Sequence, residues 1–188
     1  MSREASVTSE VWVVDLDYTL IRTDSLSVVF FEWFRREPFR ALGALIYYIS
    51  IRKWPQFKSI VCENGKIDAA RFPYRQELIH QIIAARKAGH LTVLATATHE
   101  KIALEVAAHL GIFDHALGTR EKNLRGKGKL EAIRGLIGDR PFLYWGDSPP
   151  DYEIWPHCSR AGVVNPTPKM LKWLQERFSG DKLLVIRD

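Results

Sequence analysis

Short β-rich runs that stop at a chemically loaded residue, each followed by a stretch of helical periodicity, constrain this chain more than anything else in it. Val11-Trp-Val-Val-Asp15 reads as a buried strand, and Leu91-Thr-Val-Leu-Ala-Thr96 as a second. Phe142-Leu-Tyr-Trp-Gly146 is a third and Arg160-Ala-Gly-Val-Val164 a fourth. A helix from near Pro73, carrying Leu78, Ile82 and Ile83, ends before Gly89. Thr98 is placed to cap the next helix, whose Ile102, Ala103, Val106 and Leu110 repeat at helical spacing until Gly111. Further helices are expected over about Lys129 to Ile137 and from Thr167-Pro168 onward. Strands alternating with helices imply an α/β fold, a Rossmann-like doubly wound parallel sheet covered on both faces.

One segment breaks the alternation. Residues 24–88 show helical patterns and no convincing strand. They are expected to form an inserted helical cap subdomain, leaving residues 1–23 and 89–188 as the catalytic core. The two cysteines, Cys62 and Cys158, have no metal-ligand spacing and are too few for a disulfide framework. That fits a reducing, cytoplasmic setting. Met1 to Glu10 is polar, without the apolar core of a signal peptide. The most apolar run, Ala41 to Ile51, falls short of the roughly 20 residues a membrane-spanning helix needs.

Ligands of doubly wound folds bind beyond the carboxyl ends of the strands, so the strand ends carry the chemistry. The first ends in Asp15-Leu-Asp17-Tyr-Thr19, the second in Thr96, the third in Gly146-Asp147-Ser-Pro-Pro-Asp151. Between the last two lies the glycine-broken basic loop Asn123-Leu-Arg-Gly-Lys127-Gly-Lys129. Four acids, a hydroxyl and a lysine at one rim suggest a site for Mg²⁺ and phosphate. A carboxylate can attack phosphorus, which splits one hard displacement into two easier ones. A second carboxyl group two residues on lies on the same side of an extended chain, where it can serve as acid and base. Mg²⁺ takes oxygen ligands and offsets repulsion among anions. Hydroxyl, amide and lysine donors suit the equatorial oxygens of a transferring phosphoryl group.

Asp15-Leu-Asp17-Tyr-Thr19-Leu20, Thr96, Lys129 and Gly146-Asp147-Ser148 with Asp151 resemble the four ordered motifs of the haloacid dehalogenase superfamily. The likeness covers nearly the whole chain and is nearest to the phosphoserine-phosphatase-like branch, whose helical cap lies between the first and second motifs. Leu94-Ala-Thr-Ala-Thr98, Ala107 to Asp114 and Asn123-Leu-Arg-Gly126 are similar to stretches of haloacid dehalogenase-like domains associated with polyprenyl-group transferases. The resemblance implies a Mg²⁺-dependent phosphatase acting through an aspartyl-phosphate, with Asp15 as nucleophile and Asp17 as general acid and base. It implies that Thr96, Ala97 and Lys129 bind the phosphoryl group, Lys127 being the alternative lysine. Mg²⁺ would be held by Asp15, Asp147 and the main-chain carbonyl of Asp17, with Asp151 alongside. Tyr18 departs from the family's frequent glycine and is expected to narrow the entrance.

The chain's net charge is +5. Arg35 to Arg75 alone holds nine bases against three acids, interleaved with aromatic residues such as Phe39, Tyr47, Tyr48, Trp54 and Phe57. One reading is a self-packed cap with a solvated basic face. The other is peripheral membrane contact or a lipid-linked phosphorylated substrate, since basic and aromatic residues suit the interface. No nucleic acid partner is expected, because no binding motif accompanies the charge. The alternative function is a catalytically weak accessory domain that docks on a membrane enzyme or a membrane surface through this cap.

Overall fold

The computed structural model describes residues 10–120 and 123–188. The polar stretch expected to lack a signal sequence therefore lies, apart from Glu10, outside the described residues. Six parallel strands form one sheet in the order β3-β2-β1-β4-β5-β6. They are β1 (Val11–Val14), β2 (Thr92–His99), β3 (His115–Thr119), β4 (Phe142–Gly146), β5 (Arg160–Val164) and β6 (Leu183–Ile186). The α/β doubly wound class expected from the alternation is the class that forms.

All four residues of β1 are buried, as a central parallel strand requires. Alternate side chains serve opposite layers. Trp12 and Val14 join a core with Leu94, Ile102, Val106 and Ile82, whereas Val11 and Val13 join Ile133, Met170 and Leu174. The first layer is supplied by α4 (Gln76–Lys87) and α5 (Glu100–Leu110), the second by α6 (Lys127–Ile137) and α7 (Pro168–Gln175). Strand order runs outward from β1 to β3 on one side and from β4 to β6 on the other. The reversal between β1 and β4 opens a crevice at their carboxyl ends, the usual ligand position in such sheets.

Between β1 and α4 the chain builds α1 (Ser25–Arg36), α2 (Pro38–Ser50) and α3 (Trp54–Asn64), which pack on one another around Trp33, Phe57 and Val61. Asp24 caps α1, its Oδ1 accepting from the Ser27 amide at 2.7 Å. α4 falls within the span expected for the cap, yet its buried Leu78, Ile82 and Ala85 join the core beside β2 as the crossover helix. The two segments that lead out to α1–α3 and back to α4 run side by side. Ile21 pairs with Tyr74 in an antiparallel bridge, Arg22 N–H donates to Pro73, and Arg75 N–H donates to Leu20.

Several local expectations are corrected. β3 and β6 were not expected as strands; both lie at sheet edges, where β3 is largely unburied. The helix expected from near Pro73 begins at Gln76, and that expected from Lys129 begins at Lys127. Thr98 does not cap α5. It is buried inside β2, accepting from the Ser25 hydroxyl at 3.2 Å, and the His99 ring takes the cap by accepting from Lys101 N–H.

Candidate active site

Immediately after β1 the chain makes one wide turn over Leu16–Leu20, with Leu20 N–H donating to Asp15 and Ile21 N–H to Leu16. Asp15 begins it, its Oδ1 accepting from Leu16 N–H at 2.8 Å. The turn forces Tyr18 to φ +57°, in the left-handed region that glycine occupies without penalty. Its ring stays half-exposed at the wall of the cavity, where the sequence placed an entrance group. Arg75, almost wholly buried, clamps this turn from behind. Its Nε donates to the Thr19 carbonyl at 3.0 Å and a terminal nitrogen to that of Tyr18 at 3.3 Å, while Asp188 pairs with the guanidinium. The Thr19 hydroxyl donates to Asp147 Oδ1 at 3.2 Å, linking the first strand end to that of β4.

At the end of β4, Asp151 organises the loop. Its Oδ2 accepts from the amides of Asp147 and Ser148 at 3.1 and 3.0 Å, and its Oδ1 accepts from the Tyr144 hydroxyl at 2.7 Å. Gly146 is required here, because a Cβ would meet the Asp151 carboxylate at 2.6 Å. Lys129, on the first turn of α6, is 4% exposed; its Nζ lies 2.8 Å from Asp15 Oδ1 and 3.0 Å from the Tyr144 oxygen. Lys127 is exposed, so of the two lysines it is Lys129 that the fold brings to Asp15. β2 runs three residues beyond Thr96, where the sequence reading ends that strand; within it, buried Thr96 accepts from Thr98 N–H at 3.1 Å. The Ala97 carbonyl accepts from Thr119 Oγ1 at 2.8 Å and from Lys58 Nζ at 2.7 Å. Asp17 Oδ1 accepts from Ser25 N–H at 2.7 Å, at the start of the cap.

Asp15, Asp17, Thr96, Ala97, Lys129, Asp147 and Asp151 thus line a single cavity of about 530 Å³. Sequence reasoning did not single out Lys58, Arg75 or Tyr144. Lys58 left a signal, for it shares the helical stripe of buried Val61 and Cys62, where a lysine needs a partner. Tyr144 left none, because a tyrosine in a central strand reads as core. His99 is not among the residues lining the cavity.

Burial raises the Asp17 carboxyl to about 7, helped by the charge of Asp24. Burial also raises Asp147 to about 7, with Asp15 and Asp151 adding repulsion. Asp15 is pulled both ways: burial lifts it and the Lys129 ammonium opposes, and with Asp151 adding its charge the net is upward. Burial works against the charge on Lys129, but Asp15 and Asp151 outweigh it and hold the ammonium above its ordinary range. One ammonium therefore faces a group of three carboxyls whose oxygens, one from each of Asp15, Asp147 and Asp151, lie within 4.8 Å of one another. Oxygen donors carrying excess negative charge fit a hard divalent cation.

A family model described as haloacid dehalogenase-like hydrolase matches residues 12–154. An uncharacterized protein, y4nM, of Sinorhizobium fredii is 33% identical over 165 residues, covering 87% of this chain and 31% of that protein. The chain thus spans about a third of the length of this curated relative. A Bordetella pertussis Tohama I protein of unknown function superposes with a TM-score of 0.74 at 18% identity, covering 96% of this chain and 99% of the other. A phospho-aspartyl intermediate analogue of phosphoserine phosphatase superposes with a TM-score of 0.59 at 15% identity, covering 96% and 95%. Both structures share the fold of this chain.

Proposed function

Since this chain belongs to the haloacid dehalogenase-like hydrolases, we propose that it is a Mg²⁺-dependent phosphatase that hydrolyses a bulky or lipid-linked phosphomonoester through an aspartyl-phosphate. The observation that carries this reading is the 2.8 Å pairing of Asp15 with Lys129 inside a group of three carboxyls. In the first step a carboxylate oxygen of Asp15 attacks phosphorus and the ester P–O bond breaks. Asp17, whose raised pKa keeps its proton available near neutrality, donates that proton to the departing oxygen. In the second step Asp17 takes a proton from water as the water oxygen attacks the phosphorus, releasing inorganic phosphate and restoring the Asp15 carboxylate. Thr96, Lys129 and the backbone around Ala97 bind the phosphoryl oxygens. Asp15, Asp147 and the Asp17 main-chain carbonyl would hold Mg²⁺, with Asp151 alongside; the ion would supply charge neutralisation at phosphorus. Helices α1–α3 act as the cap over this site. The test is phosphate release from a generic aryl phosphate with and without Mg²⁺. No release under either condition would overturn the reading.

A second reading, an accessory domain docking on a membrane or a membrane enzyme, draws support from α2. Ala41 alone of its residues is buried, while Phe39, Leu42, Ile46, Tyr47 and Ile49 are exposed among the cap's bases. Among the described residues no helix is long and apolar enough to cross a membrane. Co-sedimentation with anionic and neutral vesicles, at low and high salt, separates the two readings when run beside the phosphatase assay.

A further inference from the structure

The cavity holding the carboxylates continues past them into a different environment. Its far wall is made by Leu26, Phe30, Phe31, Leu45, Trp54 and Phe57, contributed by all three cap helices. The two charged groups that the cap brings there each hold a protein contact. Asp24 caps α1, and Lys58 donates to the Ala97 carbonyl. Polar side chains, among them Lys58, Asn123 and Arg125, also line the cavity, but at the far wall an amino or hydroxyl group would be pressed against rings and left unpaired, which is costly in a buried site. Phe31 and Trp54 line the cavity yet are 60% and 46% exposed, so the apolar wall runs out to the mouth.

We infer that the substrate is the monophosphate of an apolar alcohol, with hydrocarbon attached directly at the ester oxygen; this rests on the phosphomonoesterase reading above. Its phosphate sits among Asp15, Thr96 and Lys129, and its hydrocarbon covers Phe30, Phe31, Leu45 and Trp54. Recognition through apolar area is non-directional and grows with each methylene removed from water. A cavity of about 530 Å³ has the size of sites that take whole small-molecule ligands. Selectivity therefore follows chain length until the cavity is filled.

The experiment measures kcat/KM for ethyl, butyl, hexyl and octyl phosphate below their micelle-forming concentrations, with Mg²⁺ present and phosphoserine and glycerol phosphate as polar comparators. Calorimetric binding of the same compounds to Asp15→Asn runs in parallel. The expected result is a gain of about two- to fourfold per added methylene, mirrored in binding. A Phe31→Ser/Trp54→Ser variant, altered only at half-exposed positions, is expected to flatten that slope. A flat series, or phosphoserine preferred over octyl phosphate, overturns the inference while leaving the phosphatase reading standing. Absence of turnover with every ester overturns that reading instead. In that event chain-length-dependent binding to Asp15→Asn supports the apolar site, and length-independent binding or none refutes it.

Discussion

The carboxylate rim and the cap face each other across one cavity, but they are built on opposite terms. At the rim the buried charged groups are tied down: Lys129 meets Asp15 and Tyr144, Asp151 meets two amides and two hydroxyls, and Arg75 fixes two carbonyls of the turn. In the cap, α2 buries only Ala41 fully, packs Ala44, Leu45 and Tyr48 in part, and leaves the large apolar side chains of Phe39, Ile46 and Tyr47 in the open. Preorganised charge is what phosphoryl transfer needs, since donors that are already placed do not have to reorganise as the reaction proceeds. An adaptable apolar wall is what selection of a leaving group needs. On the proposed reading, chemistry is fixed by the core and choice is delegated to the insert.

The sharpest way to break that contrast is Asp15→Asn, expected to lower phosphatase turnover by at least about 10⁴-fold while the far-ultraviolet dichroism stays native. Residual turnover above a tenth of wild type would rule out the covalent route. Next comes Asp17→Asn, expected to cost about 10²–10³-fold, with both ester cleavage and hydrolysis of the intermediate slowed in rapid-mixing experiments. Full activity there would strip Asp17 of its proton-transfer role.

The rim's crowded carboxyls also make a prediction about stability. Asp17 and Asp147 have folded pKa values near 7, above their ordinary carboxyl values, so the folded protein retains protons that the unfolded chain releases. Their contribution is present at acid pH and is lost as pH rises through about 7. Without metal, the Tm is expected to fall across that window, and millimolar Mg²⁺ at pH 7.5 to restore it. Asp147→Asn should flatten the pH dependence and blunt the response to Mg²⁺. An unchanged pH profile in that variant would show the repulsion to be relieved some other way.

Smaller effects test the edges of the comparison. Tyr18→Gly relieves a left-handed backbone at the cost of a looser unfolded chain, for a net gain of about 0.5–1 kcal/mol in denaturant unfolding. A loss of stability would mean that the Tyr18 ring contributes more than the strain costs. Smallest of all, Phe39→Ser and Ile46→Ser in the cap are expected to leave stability within about 0.5 kcal/mol, since neither side chain is packed. A large loss would show that α2 is covered in solution.

The alternation of β1, β2, β4 and β5 with helices was legible because central parallel strands are apolar runs with clear ends. The edge strands were not. In β3, His-Ala-Leu-Gly-Thr is too polar and too exposed to carry a strand signal, and pairing with β2 supplies what the sequence lacks. The acids at the strand ends were legible for the same reason as the strands that present them. The behaviour of Arg75 was not: it read as one more base of the cap, and only the fold carries it 56 residues back to the Thr19 carbonyl. Half of the cap's aromatic question was settled by burial. Trp33 and Phe57 are core, whereas Phe39 and Tyr47 remain outside, a distinction that composition cannot make.

The paired passage at Ile21 and Tyr74 has a consequence for how such a chain can change. Because the insert leaves and re-enters through adjacent residues of one antiparallel bridge, its two ends lie about 5 Å apart, a gap that a short turn can close. A recombination event or a cloning step that exchanges what lies between them need not shift the register of the sheet. The sheet and its helices can keep their sequence while the helices between Ile21 and Tyr74 are replaced, lengthened or remade as a cassette.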